Sequence, residues 1–200
     1  MRKQVCTILL IIVNVCIFFW LSFQGMTENA EFMLEHGALY VPYMMKNEEY
    51  YRLVSSMFLH FDFDHLINNM VLLGVIGWTL EKEIGKVRYL IIYFFSGIAG
   101  NILSTAGDIL TQEFAVSAGA SGAVYGIIGA LLYVAFRNKG HIGDISGRGL
   151  LCMIGLSLYY GFTGSGVNNL AHIGGLIAGF ILAVLLYWKR KRKRRKHTRR

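Results

Sequence analysis

Charged residues, proline and cysteine are all scarce in this chain of 200 residues. Charged side chains make up 16% of the sequence, whereas a soluble globular domain usually contains roughly 25%. Ten of the 20 basic residues lie between Lys189 and Arg200, which leaves the rest of the chain poorer still in charge. Together with a mean hydropathy of +0.47, this composition excludes an ordinary soluble core and indicates a membrane protein.

The three cysteines, Cys6, Cys16 and Cys152, lie within apolar stretches and form no C-x-x-C motif. A disulfide framework and a cysteine zinc site are therefore not expected. We interpret all three as small apolar side chains.

Six stretches are long and apolar enough, or nearly so, for a membrane-spanning helix, which needs about 20 residues. They are Val5–Phe23, Phe58–Leu80, Tyr89–Gly107, Phe114–Phe136, Gly149–Thr163 and Asn169–Trp188. The predicted fold is all-α, a polytopic six-helix bundle over residues 5–188, with a short N-terminus (1–4) and a basic tail (189–200). The first stretch could instead be a cleaved signal peptide. We favour a retained helix, because its apolar run is longer than that of a typical signal peptide and no small-x-small cleavage site follows.

The distribution of Lys and Arg predicts the orientation of the bundle. If the N-terminus is cytoplasmic, 18 of the 20 basic residues fall on the cytoplasmic side, and only Lys46 and Arg52 fall outside. The chain is then a multi-pass protein of the cell membrane with both termini in the cytoplasm. The tail KRKRRKHTRR directly follows a span. We interpret it as a flank that attracts anionic lipid rather than as a nucleic-acid-binding segment.

Three polar clusters fall at one depth in this arrangement. The second, fourth and sixth helices all run inward, and near their outer ends lie His65 and Asn69, then Ser121, then His172. Ser121 is expected about two turns into its helix. Polar and ionisable groups in a membrane are costly unless they pair or line a water-filled cavity, so these residues are functional candidates. Hydrogen bonding between helices alone would explain any one of them better than it explains all four together.

The serine lies in GASGAVYG and the histidine in AHIGGLIAG, and both segments contain a G-x-x-x-G spacing. Small residues let helices approach closely in a bilayer, and a histidine base must come within about 2.6–3.2 Å of its nucleophile. Close helix packing and proton transfer therefore both require that Ser121 and His172 lie near each other. His65 and Asn69, at positions i and i+4, share a helix face and can donate to an oxyanion, as can the backbone N–H of Ser121. His60 would support these polar residues near the outer ends of the helices.

A zinc site is an alternative use for His60, His65 and His172, joined by a nearby aspartate. We disfavour it because H-E-x-x-H is absent and Asn69 is a poor zinc ligand. No metal ion and no other cofactor is expected.

The chain resembles the rhomboid family of intramembrane serine proteases in four segments. Tyr51-Arg52 followed by HFDFDHLINN resembles the family's W-R segment and H-x-x-x-x-H-x-x-x-N motif, and Tyr51 departs from the usual tryptophan. GASG is similar to the G-x-S-G motif, and AHIGG is similar to A-H-x-x-G. GWTLEKEIG, with Glu81, resembles the end of the family's second helix. The resemblance runs from Arg52 to Leu186, and six helices are typical of the minimal bacterial form, which implies a bacterial plasma membrane.

This resemblance implies a serine endopeptidase that cuts transmembrane segments of other membrane proteins near the outer face of the bilayer. Ser121 would be the nucleophile, flanked by Gly119 and Gly122, and His172 would be the general base. Without an aspartate, helix packing and Tyr125 would orient the imidazole.

The resemblance also implies that His65, Asn69 and the Ser121 amide form an oxyanion hole. Residues 26–59 resemble the family's first loop, which lies sideways in the membrane. The fifth helix and the loop GFTGSGVNN resemble a mobile gate and cap.

Two other functions stay open on the residues alone. A membrane adaptor or chaperone that binds helices without cutting them would share the fold but would not need the Ser121–His172 pair. A small transporter would tend to show inverted repeats or polar groups at the midplane, and neither is evident. The expected partners are transmembrane proteins and the lipid bilayer, not nucleic acid. The sequence does not specify the natural substrate or the oligomeric state.

Overall fold

The computed structural model describes residues 4–163 and 166–187, and most of these are helical. The α-helices in these ranges are α1 (Val5–Ser22), α2 (Ala30–Glu35), α3 (Val41–Asn47), α4 (Arg52–Ser55), α5 (Phe63–Leu72), α6 (Trp78–Ile84), α7 (Lys86–Thr111), α8 (Ser121–Arg137), α9 (Gly147–Thr163) and α10 (Asn169–Leu186). A 3₁₀ turn, Ser56–Phe58, follows α4, and a π-helical segment, Leu73–Gly77, joins α5 to α6. Two short strands, β1 (His141–Ile142) and β2 (Ile145–Ser146), form an antiparallel hairpin between α8 and α9. The prediction of an all-α fold is confirmed.

Three helices, α1, α7 and α10, are long and apolar enough to cross a membrane by length and composition, and α8 is a shorter apolar helix. Large apolar side chains point outward from these helices, among them Trp20, Phe95 and Leu185. Water-soluble proteins rarely expose so much apolar surface. The molecule is therefore an all-α membrane bundle.

The second predicted span, Phe58–Leu80, is displaced towards the C-terminus. Helix α5 begins only at Phe63, because the Asp62 carboxylate accepts a hydrogen bond from the backbone N–H of His65 (2.7 Å) and caps the helix. The helical run continues through the π-helical segment to the end of α6. There Gly85, at φ +88°, lets the chain turn into α7.

The fourth predicted span, Phe114–Phe136, begins too early. Leu39 and Ser117 exchange backbone hydrogen bonds of 2.8 and 2.9 Å, which holds this part of the chain extended. Gly119, at φ +139°, then turns the chain into α8. Ser121 is therefore the first residue of its helix, and the prediction that it lies two turns inside was wrong.

The other predicted spans differ less from the structure. Helix α7 extends beyond the predicted Tyr89–Gly107 at both ends, α1 ends one residue earlier, and α9 begins two residues earlier than predicted. Helix α10 ends at Leu186. Trp188, the tail at 189–200 and residues 1–3 lie outside the described residues.

Three helices, α7, α8 and α10, form the centre of the bundle and pack along their lengths. The G-x-x-x-G pair Gly122 and Gly126 on α8 faces the pair Gly175 and Gly179 on α10. A Cβ atom at Gly175 would overlap the carbonyl oxygen of Gly122, and one at Gly179 would overlap that of Gly126. The two backbones can meet only because side chains are absent at these positions. Helix α9 packs against α8 and α10 much more sparsely.

A buried glutamate joins the start of α1 to α6. The Glu81 carboxylate, 2% exposed, accepts hydrogen bonds from the backbone N–H groups of Cys6 (3.1 Å) and Thr7 (2.8 Å) and from the Thr7 hydroxyl (2.8 Å). The first N–H groups of a helix lack intrahelical acceptors and carry partial positive charge. The helix end therefore compensates the buried carboxylate and is fixed against α6.

The segment between α1 and α5 is a folded layer organised around Arg52, which is buried. The Arg52 guanidinium donates from Nη1 to the carbonyl oxygens of Leu34 and Ala38, both at 2.8 Å, and from Nε to Glu49 Oε2 at 2.6 Å. A hydrogen bond from Asn47 lowers the pKa of the Glu49 carboxyl most, and the hydrogen bond from Arg52 lowers it further. This one side chain thus connects the end of α2, the turn that follows it and the residues just before α4.

Candidate active site

The residues that directly precede α8 are held in place by the folded layer around Arg52. The backbone N–H of Gly119 donates to the carbonyl oxygen of Ser56 (2.9 Å). Asn101 on α7 donates from Nδ2 to Ser56 Oγ (3.0 Å) and to the Leu53 carbonyl oxygen (2.8 Å). The turn that presents Ser121 is therefore held both by the preceding layer and, through Ser56, by the central helix α7.

Ser121 and His172 meet where α8 and α10 pack. Ser121 Oγ lies 2.9 Å from His172 Nε2, within the range over which a histidine can take a proton from a serine. His172 is buried, at 8% exposed. Its Nδ1 atom has no hydrogen-bond partner within 4–163 and 166–187, so no carboxylate in these ranges orients the imidazole from behind.

Tyr125 limits the movement of the imidazole instead. Its ring lies parallel to that of His172, with centroids 4.2 Å apart and an interplanar angle of 7°. Tyr125 is one helical turn after Ser121, so both side chains lie on the face of α8 that meets α10. The imidazole is held between the hydrogen bond to Ser121 and this stacked ring.

His65, Asn69 and His60 form a cluster beside the serine. A Cβ atom at Gly119 would lie 2.7 Å from Cε1 and 2.8 Å from Nε2 of His65, and 3.8 Å from Ser121 Oγ. The His65 ring therefore rests against the Gly119 backbone next to the serine. Asn69, one turn further along α5, is buried and donates one amide hydrogen to the His65 carbonyl oxygen (3.0 Å). His60 is fully buried, and its ring meets His65 edge to face with a centroid separation of 5.1 Å.

The start of α8 adds backbone donors. The N–H of Val124 bonds the carbonyl oxygen of Ala120 at 3.0 Å, so the N–H groups of Ser121, Gly122 and Ala123 precede the first helical hydrogen bond. Such groups have no intrahelical acceptor and concentrate the positive end of the helix dipole. A serine two turns inside the helix would have had its N–H engaged. The observed position leaves this group available to a negative oxygen beside Ser121 Oγ.

Asn168, which the sequence interpretation missed, fixes the start of α10. Its Oδ1 accepts a hydrogen bond from the backbone N–H of Ala171 (3.0 Å), and its Nδ2 donates to Ser104 Oγ (2.6 Å) and Ser117 Oγ (3.0 Å). It thereby connects the helix of His172 to α7 and to the extended segment before Ser121. An asparagine at this place is a helix N-cap signal, so sequence reasoning could have found it.

Ser157 on α9 was also missed. Its Oγ accepts a hydrogen bond from the Tyr125 hydroxyl. A single serine in an apolar helix gives no signal of this kind, because its partner is decided by helix packing.

In the part of the chain that the structure describes, no group of three or more His, Cys, Asp or Glu side chains is arranged to hold a metal ion. The groups that the fold brings together here are a serine hydroxyl, an imidazole and several hydrogen-bond donors.

Comparison with known proteins agrees with this architecture. The family model described as a rhomboid domain matches residues 47–189. Rhomboid protease GluP of Bacillus subtilis is 36% identical over 184 residues, which cover 92% of this chain and 35% of that protein. The putative rhomboid protease YdcA of the same organism is 36% identical over 149 residues, covering 74% of this chain and 72% of YdcA. RHOMBOID-like protein 7 of Arabidopsis thaliana is 38% identical over 156 residues, covering 75% of this chain and 47% of that protein.

The chain thus spans about a third of the length of GluP but nearly three quarters of YdcA. The family match covers the helices that carry Ser121, His172, His65 and Asn69. The resemblance predicted from the sequence motifs is confirmed, and this chain belongs to the rhomboid family.

Proposed function

We propose that the chain is an intramembrane serine endopeptidase that cleaves transmembrane segments near the outer face of the bilayer. The observation that carries the proposal is the 2.9 Å contact between Ser121 Oγ and His172 Nε2 at the first residue of α8. GluP is named as a rhomboid protease and YdcA as a putative one, which supports proteolysis as the activity.

The reaction begins when Ser121 Oγ attacks the substrate carbonyl carbon and its proton passes to His172 Nε2. The oxyanion that forms is stabilised by the Ser121 N–H, by His65 and by the second amide hydrogen of Asn69, which the His65 carbonyl does not use. His172 then returns the proton to the leaving amine as the C–N bond breaks. Water, deprotonated by His172, hydrolyses the acyl-enzyme and restores Ser121.

A transmembrane helix has its backbone hydrogen bonds satisfied internally, so the scissile segment must unwind before Ser121 can reach it. The proposed route of approach is lateral, between α5 and α9. The sparse packing of α9 supports this route, as do its outward apolar side chains Leu156, Tyr159 and Phe162. Substrates with helix-weakening residues near their outer ends should be preferred.

In this proposal the protease domain is residues 5–188 of a multi-pass protein in a bacterial plasma membrane. Residues 1–4 and the basic tail at 189–200 face the cytoplasm, where the tail attracts anionic lipid. The partners are transmembrane protein substrates and the lipid bilayer. The reaction needs no cofactor.

The proposal is tested by placing the purified protein in liposomes with a single-span model substrate. We expect the wild type to release two products and Ser121→Ala to release none, because the alanine variant lacks the nucleophile. Mass spectrometry of the products would locate the cut relative to the outer face.

Product from both proteins would contradict Ser121 as the nucleophile. Product from neither, with substrate helices bound but intact in both, would favour the adaptor function instead. Thermal unfolding of both proteins in detergent confirms that the comparison is between folded molecules.

A second prediction concerns the oxyanion. Asn69→Ala is expected to lower kcat by about 10²–10³-fold, the usual cost of one oxyanion donor, with little change in KM. The matched control is Asn68→Ala, since Asn68 is the same residue type on the same helix but exposed. Equal rates for the two variants would exclude Asn69 as an oxyanion donor.

A further inference from the structure

One side chain of α9 is linked to the catalytic imidazole through a single intermediate. Ser157 Oγ accepts a hydrogen bond from the Tyr125 hydroxyl, and the Tyr125 ring stacks on His172 at 4.2 Å. Ser157 and the next residue, Leu158, are half-buried, whereas Leu156 and Tyr160 on the same helix are exposed. Ser157 therefore lies on the side of α9 that faces the bundle, and its hydrogen bond is a point at which α9 reaches the site.

His172 depends on its contact with Tyr125 more than the histidine of a Ser-His-Asp triad would depend on a neighbouring ring. No carboxylate within the described residues binds its Nδ1, so the hydrogen bond to Ser121 and the stacked Tyr125 ring take the place of that orienting contact. The backbone of Tyr125 is fixed in the packed core of α8. Its ring is also buried, at 4% exposed, and the hydroxyl at the far end of the ring is held by Ser157. This hydrogen bond further limits rotation about the side-chain torsions of Tyr125.

We infer that Ser157 is a positioning residue that orients His172 through Tyr125, so that the geometry of the base depends on where α9 lies. The inference rests on the proposed function and adds to it a link between α9 and the reacting groups. Because α9 packs sparsely on the rest of the bundle, an outward shift of this helix would break the bond and release the Tyr125 ring. The base is then fully ordered only while α9 stays in contact with α8.

The test compares Ser157→Ala, Tyr125→Phe and the double variant, which remove the same hydrogen bond while keeping the stacked ring. The first readout is cleavage of the transmembrane substrate. The second is labelling of Ser121 by a small fluorophosphonate, in which the Oγ–P bond forms, fluoride leaves and His172 takes the proton. We expect each single variant to lower both rates by about three- to ten-fold, the usual effect of losing one hydrogen bond. The double variant should be no slower than either single one.

Two further variants sharpen the comparison. Ser157→Thr keeps a hydroxyl at the same position and is expected to recover most of the labelling rate. Cys152→Ala removes the side-chain sulfur atom from an exposed position on the same helix and should label at the wild-type rate. Thermal unfolding in detergent checks that every variant is folded, since a general loss of structure would slow cleavage without acting through the contact between Tyr125 and His172.

A spectroscopic readout makes the test independent of activity. In selectively labelled protein, the Tyr125 ring should shift the His172 Cε1 proton upfield in the NMR spectrum, and Ser157→Ala should reduce that shift. Slower cleavage with an unchanged labelling rate would overturn the inference, because the bond would then act on substrate access alone. Additive effects, or an unchanged His172 signal, would overturn it as well. A wild type that is neither labelled nor active would instead contradict the proposed function.

Discussion

Replacing His172 with alanine is expected to lower kcat for a transmembrane substrate by about 10⁶-fold, the loss found when a serine protease loses its histidine base. The reason is the 2.9 Å contact between His172 Nε2 and Ser121 Oγ, since no other group in the described structure hydrogen-bonds that hydroxyl to accept its proton. The measurement is single-turnover cleavage in liposomes.

The double variant Ser121→Ala/His172→Ala is expected to be no slower than either single variant, because the two side chains act as one unit. His141→Ala is the matched control, since His141 is an exposed histidine on the β1–β2 hairpin, and it should keep the wild-type rate. A His172→Ala protein that retained a tenth of the activity would exclude His172 as the base.

Gly175→Ala is expected to disrupt both stability and activity. A Cβ atom there would overlap the carbonyl oxygen of Gly122, and backbone atoms cannot move aside as a flexible side chain can. Helices α8 and α10 would have to separate, at a cost of roughly 1–3 kcal/mol in the free energy of unfolding. Because Ser121 lies on one helix and His172 on the other, a displacement near 1 Å should lower kcat about 100-fold. Thermal unfolding in detergent and the liposome assay measure the two effects.

The control for this change is Gly155→Ala on α9. No atom lies within 4 Å of a Cβ built at Gly155, and alanine is favoured over glycine within a helix by roughly 0.5–1 kcal/mol. We therefore expect an equal or slightly higher unfolding temperature and little change in rate. Wild-type behaviour of Gly175→Ala would mean that the close contact between α8 and α10 does not hold the two side chains in register.

The membrane class and the helical fold could be predicted from the sequence, which also indicated candidate site residues. Apolar length and charge distribution act along the chain, since a helix that crosses a bilayer satisfies its own hydrogen bonds and needs only enough apolar residues. The polar residues Ser121, His172, His65 and Asn69 were conspicuous for the same reason, because unpaired polar groups are costly in an apolar helix. The paired G-x-x-x-G motifs likewise indicated close helix packing before their partners were known.

Only the tertiary structure decided where α8 begins and what surrounds the imidazole. The position of Ser121 as the first helical residue depends on the pairing of Leu39 with Ser117 and of Gly119 with Ser56, between segments far apart in the chain. The contact with His172 spans 51 positions, and that between Tyr125 and Ser157 spans 32. Local propensity and hydropathy report on neighbouring residues, whereas these contacts depend on how separate helices pack. The sequence by itself therefore determined the membrane class, the helical fold and a set of candidate residues, and the packing of α7, α8, α9 and α10 determined which of them meet.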